Sequence, residues 1–265
     1  MKSLVPQYLS RVSNTRSENT SSTYSGILEE VFGIVDVLTP ETLDQLLSHW
    51  RSVGNSSNTI ILKMSCLKSF LKFARRRIEI PDYDELVDVL SSVKKEKRIQ
   101  SVMSKEELEV LLDAARGIRY KCIVAFGAYC GLRVSEVLSL KTADIYDDYC
   151  IVRDTKNHKD RKVLFVSQKH KDYLNLYMEK YSPTEMLFDV KQNSLQAYFK
   201  ELCVAQGFPE YHFHTLRHFF VQSMLNAEVS LPVIASFTGH SSLSSLQSYV
   251  SITPKMIAKA NIFDQ

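Results

Sequence analysis

The order and spacing of a few chemically active residues constrain this chain more than any other feature. Residues 214–218 read HTLRH, residues 239–240 are Gly-His, and a tyrosine follows at position 249. His214 and Arg217 are three residues apart, so on a helix their side chains share one face. Such a pair can hold and polarise one phosphate, and a nearby phenol can attack it. The pattern therefore predicts a helix over HTLRH and indicates chemistry at a phosphodiester with Tyr249 as the nucleophile.

A second block lies upstream, where residues 131–140 read GLRVSEVLSL. Arg133 and Glu136 are again three residues apart, so Glu136 can pair with Arg133 and fix its direction. The three blocks, in this order, resemble the boxes of the tyrosine recombinases of the phage-integrase and Xer type. Those boxes are similar to G-L-R-x-S-E-x-x-x-L, H-x-L-R-H, and G-H-S-S followed by a tyrosine nine residues after the histidine. The resemblance is strong over residues 101–252 and only architectural before them.

Length and composition are compatible with this resemblance. The 265 residues suffice for one large domain or two modest ones, and 45% hydrophobic residues support an ordinary core. A net charge of +3 permits a nucleic-acid partner without requiring one. The five cysteines form no C-x-x-C pair, which favours reduced thiols over a zinc site. No signal peptide or membrane span is indicated, so we expect a cytoplasmic, nucleoid-associated protein.

Residues 1–90 form the predicted N-terminal domain, a set of short helices. Helices are expected over residues 22–32, from Pro40 to about Trp50 with Thr39 as the N-cap, and over residues 59–77. Several cations of the last helix lie mostly off its apolar stripe. They form either a solvated face or a DNA-facing surface, and the candidates for DNA contact are Lys63, Lys68, Lys72 and Arg75.

Residues 91–101 are polar and charged, which predicts a linker between domains. Its Lys94, Lys95 and Lys97 can track a DNA backbone, since phosphate contacts need charge but little geometry. A flexible linker without DNA contact is the alternative.

Residues 102–265 form the predicted catalytic domain. Ser104 and Glu107 match a capping box that opens its first helix. Residues 120–140 are mostly helical with a break near Gly131, and residues 149–153 and 162–166 predict a β-hairpin. With the resemblance, these patterns predict a mainly α fold with a small β-sheet. They also imply a two-domain C-shaped clamp, in which an N-terminal helical core-binding bundle (SAM-like) joins a tyrosine-recombinase catalytic domain around double-stranded DNA.

Arg133 and Arg217 are the candidates for neutralising the attacked phosphate. A guanidinium is always protonated and can bind two oxygens at once, and its stabilisation grows as charge builds in the transition state. The resemblance implies that His214 and His240 line the site, where they can donate hydrogen bonds or accept the phenol proton. His218 and Glu136 are expected to support these groups.

Tyr249 is the predicted nucleophile because its spacing from Gly239-His240 singles it out among thirteen tyrosines. A free phenol has a pKa near 10, and nearby arginines favour the phenolate. Its attack would give a 3′-phosphotyrosine bond that keeps the energy of the broken ester. A 5′ hydroxyl could then rejoin the strand without ATP.

The resemblance implies that a lysine on the hairpin turn protonates the leaving 5′ oxygen. The family pattern is similar to G-K-G-x-K-x-R, which aligns Lys156 with the first lysine and Arg161 with the arginine, itself a candidate DNA contact. Thr155 and Asn157 replace the two glycines, so Lys159 remains an alternative acid. With this set complete, the mechanism needs no metal and no cofactor.

These features predict a site-specific DNA recombinase, either an integrase of a mobile element or a Xer-like resolvase. The alternative is a catalytically inactive DNA-binding accessory protein of the same fold. Thr253 and Pro254 signal the start of a short apolar tail helix, which is marginal alone and must dock. It packs on its own domain or, as the resemblance implies, on a neighbouring protomer in a homotetramer on paired sites.

Overall fold

A computed structural model describes residues 1–93, 103–153 and 160–239. Contacts divide the chain into two compact units, Met1–Ile99 and Gln100–Gln265. In the described residues the secondary structure is mostly helical with one two-stranded sheet, which confirms the predicted mainly α fold with a small sheet. No helix within those ranges is both long and apolar enough to span a bilayer.

The described part of the N-terminal unit, residues 1–93, contains five α-helices after a short 3₁₀ turn, and their bounds are α1 Val5–Thr15, α2 Glu18–Ile34, α3 Pro40–Ser52, α4 Ser57–Ala74 and α5 Tyr83–Ser92. The α3 start is the predicted one, with a Thr39 side chain that accepts from the Thr42 amide at 3.3 Å. The α4 helix ends at Ala74, earlier than predicted. The α5 helix includes the first two residues of the predicted linker.

The core of this unit forms around α4, whose apolar side chains pack against helices on several sides. Phe70, Leu67 and Leu71 are fully buried, and Trp50 of α3 lies in the same cluster. Tyr8 of α1 meets Phe70 edge to face with ring centroids 5.4 Å apart. Because neighbouring helices enclose α4, its buried face is wider than a single apolar stripe.

The second unit contains seven described α-helices and two strands, with bounds α6 Lys105–Ala114, α7 Gly117–Cys130, α8 Val134–Leu138, β1 Tyr149–Val152, β2 Arg161–Leu164, α9 Gln168–Tyr181, α10 Gln192–Ala205, α11 Phe213–Asn226 and α12 Leu231–Thr238. The predicted capping box opens α6, where the Glu107 amide donates to Ser104 Oγ at 3.2 Å. The predicted hairpin is antiparallel and pairs Tyr149 with Leu164 and Val152 with Arg161.

Helix α7 is the central element of the second unit. Its residues from Cys122 to Ala128 are all buried, because α9 and α11 pack against it on different sides. The helix ends at Cys130 and is capped by Gly131, which has a φ of +65° in the left-handed region. A Cβ on Gly131 would lie 2.5 Å from Phe220 Cδ1, so only glycine fits this turn. The turn leads the chain directly into Arg133 and α8.

All five cysteines are buried and free, as the prediction of reduced thiols requires. Cys130 Sγ lies 3.6 Å from Nδ1 of His170, which is fully buried between Phe126 and Phe165. Burial lowers the pKa of His170 to about 3, with a further contribution from Lys171. This histidine is therefore a neutral core residue.

Candidate active site

The N-terminus of α8 brings Arg133 and Glu136 together. Arg133 is the N-cap, and its backbone N–H donates to Glu136 Oε2 at 2.7 Å. Its Nη1 donates to Glu136 Oε1, also at 2.7 Å. Glu136 therefore caps the helix and fixes the guanidinium at once, which is the pairing expected from their spacing. The Arg133 side chain remains 41% exposed and is open to a ligand.

Arg217 projects from α11 into the interior and is only 1% exposed. Its Nη1 donates to the Gly131 carbonyl at 2.9 Å, and its Nη2 donates to the Thr238 carbonyl at 2.6 Å. Nη1 also lies 3.7 Å from Glu136 Oε2. Because carbonyls at helix C-termini carry partial negative charge, a cation is favourable there. Arg217 thus joins the C-terminal ends of α7 and α12 to the carboxylate that holds Arg133.

Arg161 reaches the same carboxylate from β2. Its Nη2 donates to Glu136 Oε2 at 2.8 Å, and its Nε donates to the Phe237 carbonyl at 2.9 Å. The side chain is 13% exposed. Sequence reasoning assigned Arg161 to DNA contact, whereas the structure directs it inward. No local pattern could have revealed this, because Arg161 and Glu136 are 25 residues apart.

Three guanidinium groups therefore surround one carboxylate. Burial alone would raise the pKa of Glu136, but the hydrogen bond and charge of Arg161, together with Arg133, outweigh it and hold that pKa below its ordinary value. Glu136 is accordingly ionised at neutral pH. It neutralises one of the three arginines, so the cluster keeps an excess of positive charge that suits an anionic ligand.

The two histidines of the HTLRH segment occupy different environments on α11. His214 is exposed and His218 is buried, and their rings meet edge to face with centroids 4.6 Å apart. Burial lowers the pKa of His218 to about 4, with smaller contributions from His214, His212 and Arg217. His218 is therefore neutral at pH 7, which fits a supporting rather than a charged role.

The remaining predicted site residues lie outside the described residues, namely Lys156, Lys159, His240, Tyr249, Lys94, Lys95 and Lys97. The predicted tail helix lies outside them as well. Some of their neighbours in the chain are described, since Arg153 and Asp160 flank residues 154–159 and Gly239 directly precedes His240. Among the described residues, no group of three or more His, Cys, Asp or Glu side chains is arranged to hold a metal ion.

The predicted DNA-contacting cations of α4 separate into two kinds. Lys63 is buried, with its Nζ 2.6 Å from Glu30 Oε1 and 5.0 Å from the centroid of the Trp50 ring. Its ammonium is committed to the core, so we leave it out of the proposed DNA-contacting set. The other three are exposed. Lys68 and Arg75 contact neighbours of their own unit, Ser91 and Tyr83 respectively.

Lys72 lines a cleft of about 280 Å³ between α1, α2 and α4. Three further cations line the same cleft, namely Arg11, Arg16 and Arg76, and no acidic side chain is among its described lining residues. Sequence reasoning did not select Arg11 or Arg16, because isolated arginines on a short helix carry no specific signal. Packing of α1 on α4 gathers these four cations around one cleft.

Comparison with known proteins shows the family to which the chain belongs. Residues 101–256 match the family described as the phage integrase family. The chain is 28% identical to the tyrosine recombinase XerA of Pyrococcus horikoshii, over 92% of this chain and 87% of that protein. It is also 28% identical to the tyrosine recombinase XerC of Bacillus licheniformis, over 88% and 82% of the two chains. The chain therefore belongs to the phage integrase family of tyrosine recombinases, as its three boxes predicted.

Solved structures of two integrases have a fold similar to that of this chain. The Tn1549 transposon integrase in complex with a circular intermediate DNA matches with a TM-score of 0.79 and 16% identity, over 99% of this chain and 98% of that one. A lambda integrase dimer bound to a COC′ core site matches with a TM-score of 0.77 and 16% identity, over 96% and 80%. At 16% sequence identity, this similarity shows a shared fold only.

Proposed function

We propose that this protein is a site-specific recombinase that cuts and rejoins double-stranded DNA through a 3′-phosphotyrosine intermediate, without metal or ATP. The observation that carries the proposal is the convergence of Arg133, Arg161 and Arg217 on the Glu136 carboxylate. A catalyst of phosphoryl transfer must neutralise charge that builds on the phosphate oxygens. Fixed guanidinium groups perform this task without reorganising during the reaction.

In the proposed reaction, Arg133 binds the attacked phosphate from the exposed side and Arg217 supports it from the buried side. The Tyr249 oxygen forms a bond to phosphorus as the bond to the 5′ oxygen breaks. Lys156, or Lys159 in its place, gives a proton to that leaving oxygen. His214 and His240 donate hydrogen bonds to the phosphate or take the phenol proton. Rejoining is the reverse, with a 5′ hydroxyl attacking the phosphotyrosine.

The proposed partner is double-stranded DNA at a specific site, held by the two units as a C-shaped clamp. Two structural relatives were solved on DNA, which supports this partner. The cationic cleft of the N-terminal unit supports it further, since its described lining includes four cations and no acidic side chain, which suits a phosphate backbone. The reaction would take place in the cytoplasm, at the nucleoid.

Assembly on paired sites is part of the proposal. A lambda integrase was solved as a tetramer bound to a Holliday junction. We expect a homotetramer here, with the tail after Thr253 docking on the next protomer and coupling cleavage between subunits. Truncation after Ser251 should then leave single-site binding intact and weaken paired-site assembly. Unchanged assembly in a gel shift would contradict the tail exchange. Integrase and dimer-resolvase roles both fit this chemistry.

The decisive experiment uses a nicked suicide substrate, which traps the covalent intermediate. Wild-type protein should give an SDS-resistant adduct that persists in EDTA. Tyr249→Phe removes only the nucleophilic oxygen, so it should keep DNA binding and give no adduct. The matched control is Tyr146→Phe, since Tyr146 is an exposed tyrosine that stacks on Tyr149. An adduct with Tyr249→Phe would move the nucleophile elsewhere, and none with wild type would favour the inactive accessory protein.

A further inference from the structure

Arg161 lies where three elements of the second unit meet. It is the first residue of β2, and its guanidinium contacts Glu136 of α8 and the Phe237 carbonyl of α12. The next box of the chain begins two residues after Phe237, at Gly239. A Cβ on Gly239 would lie 3.0 Å from Arg161 Nη1, so the guanidinium packs directly against this glycine.

We propose that Arg161 is a positioning residue, which locks the Glu136 carboxylate and the C-terminal end of α12 into one fixed arrangement for the reaction proposed above. Only an arginine offers Nε and Nη2 donors at a fixed angle in one plane, so that one side chain can serve two acceptors in different elements. A lysine would carry the same charge as a single point and could not bridge them in this geometry.

The alternative role is the phosphate contact that the sequence suggested. Two facts weigh against it. The Arg161 side chain is 13% exposed, against 41% for Arg133, and its Nε and Nη2 already donate to the Phe237 carbonyl and to Glu136. Moreover, binding a phosphate would remove Arg161 from a carboxylate and a carbonyl in the interior, and both acceptors would lose a charge-assisted hydrogen bond.

The action of Arg161 passes through Glu136 to Arg133. The carboxylate accepts from the Arg133 amide and Nη1, and from Arg161 Nη2, while Arg217 lies 3.7 Å away. Arg161 provides the largest of the effects that hold the Glu136 pKa down against burial. Without it, Glu136 would take up a proton at a higher pH. A protonated Glu136 would hold Arg133 less firmly. The acidic limb of the cleavage rate plotted against pH should therefore move to higher pH.

The test compares Arg161→Lys and Arg161→Gln with wild type in the full-length chain. Cleavage of the suicide substrate is measured at saturating protein over pH 5.5 to 8.5, and DNA affinity is measured over a range of salt. Arg161→Lys keeps the charge and the aliphatic part of the side chain, so this variant should fold. Denaturant unfolding checks that each variant is native. The matched control is Arg153→Gln. It removes a cation from the same hairpin, but Arg153 pairs with Asp144 and Asp160 and not with Glu136.

If Arg161 is a positioning residue, both variants should bind the site within about 3-fold of wild type and cleave about 100-fold more slowly, the loss expected of a misplaced catalytic group. Their acidic limb should lie at higher pH, and lysine should not rescue. Arg153→Gln should cleave like wild type. The double variant Arg161→Gln/Glu136→Gln should cleave little more slowly than either single variant, since both substitutions break the same Arg161–Glu136 contact.

The proposal is overturned if Arg161→Gln weakens binding with a salt slope reduced by about 1 while the bound complex cleaves normally, the signature of a phosphate contact. It is also overturned if Arg161→Lys restores cleavage. These outcomes differ from failure of the proposed function, in which the wild-type protein itself gives no adduct.

Discussion

The two units of this protein place their charged and polar side chains in opposite ways. In the described residues, the buried polar or charged side chains belong almost entirely to the second unit, namely Asp144, His170, Thr215, Arg217, His218 and Thr238. Within residues 1–93, Lys63 is the one such residue. The first unit instead exposes its cations along an open cleft.

This difference follows from what each surface has to do. Contact with a phosphate backbone needs charge at the surface and tolerates mobile side chains. Catalysis at one phosphorus atom needs guanidinium groups fixed to within a fraction of an ångström, which only buried partners can achieve. Burying polar groups is costly unless each is satisfied. We therefore expect the second unit to be more sensitive to pH and to small substitutions than the first.

The largest expected effect is a loss of stability in mild acid. Burial holds the pKa values of His170 and His218 at about 3 and about 4, below the ordinary 6.5. Below pH 6.5 the unfolded chain binds protons at both residues and the folded chain does not. The stabilisation is thus complete above pH 6.5 and is lost as the pH falls toward 4. At pH 5 the loss should be about 2 kcal/mol for each histidine, measured by denaturant unfolding at pH 7 and 5.

Two variants sharpen this prediction. His170→Leu should remove about half of the pH-dependent loss, because it removes one of the two groups. His49→Gln should leave the loss unchanged, since His49 is exposed in the N-terminal unit. Equal pH dependence in wild type and His170→Leu would show that the buried histidine is not responsible.

A smaller effect is expected from adding one methyl group to a glycine in each unit. Gly131→Ala should lower the free energy of unfolding by about 2 kcal/mol, because φ is +65° and the new Cβ would meet Phe220 at 2.5 Å. Gly26→Ala in the middle of α2 should raise it by about 0.5–1 kcal/mol, since nothing lies within 4 Å of its Cβ and alanine favours a helix. Urea unfolding measures both changes. If the two variants changed the free energy of unfolding in the same direction, the contrast between the units would be wrong.

The smallest effect distinguishes two lysines of the same helix. Lys72→Gln should reduce the salt slope of DNA binding by about 1 and change stability by less than about 0.5 kcal/mol. Lys63→Gln should leave the salt slope unchanged and cost about 1–2 kcal/mol of stability, because its Nζ bonds to Glu30 in the core. Salt titrations by fluorescence anisotropy, with urea unfolding of the same samples, measure both. A salt-slope change with Lys63→Gln would return that residue to the DNA-contacting set.

Features governed by a few neighbouring residues could be predicted from the sequence. The start of α3 at Pro40, the capping box at Ser104 and the hairpin all depend on local hydrogen bonds and side-chain alternation. The pairing of Arg133 with Glu136 is also local, since three residues place both at one helix start. Predictions of side-chain exposure were wrong where one helix packs against other parts of the fold. Lys63 was predicted to face outward, but the packing of α2 and α3 around α4 encloses it.

By itself the sequence determined the family, the mainly helical class and the identity of the arginines and histidines in the three boxes, because these depend on residue order and short-range spacing. Only the tertiary structure decided that Arg161 turns inward to Glu136 and that Arg217 joins carbonyls 86 and 21 residues away. It also decided that Arg11 and Arg16 share a cleft with Lys72. The physical reason is that these contacts depend on how helices pack, and packing is set by the whole core rather than by any segment's own periodicity.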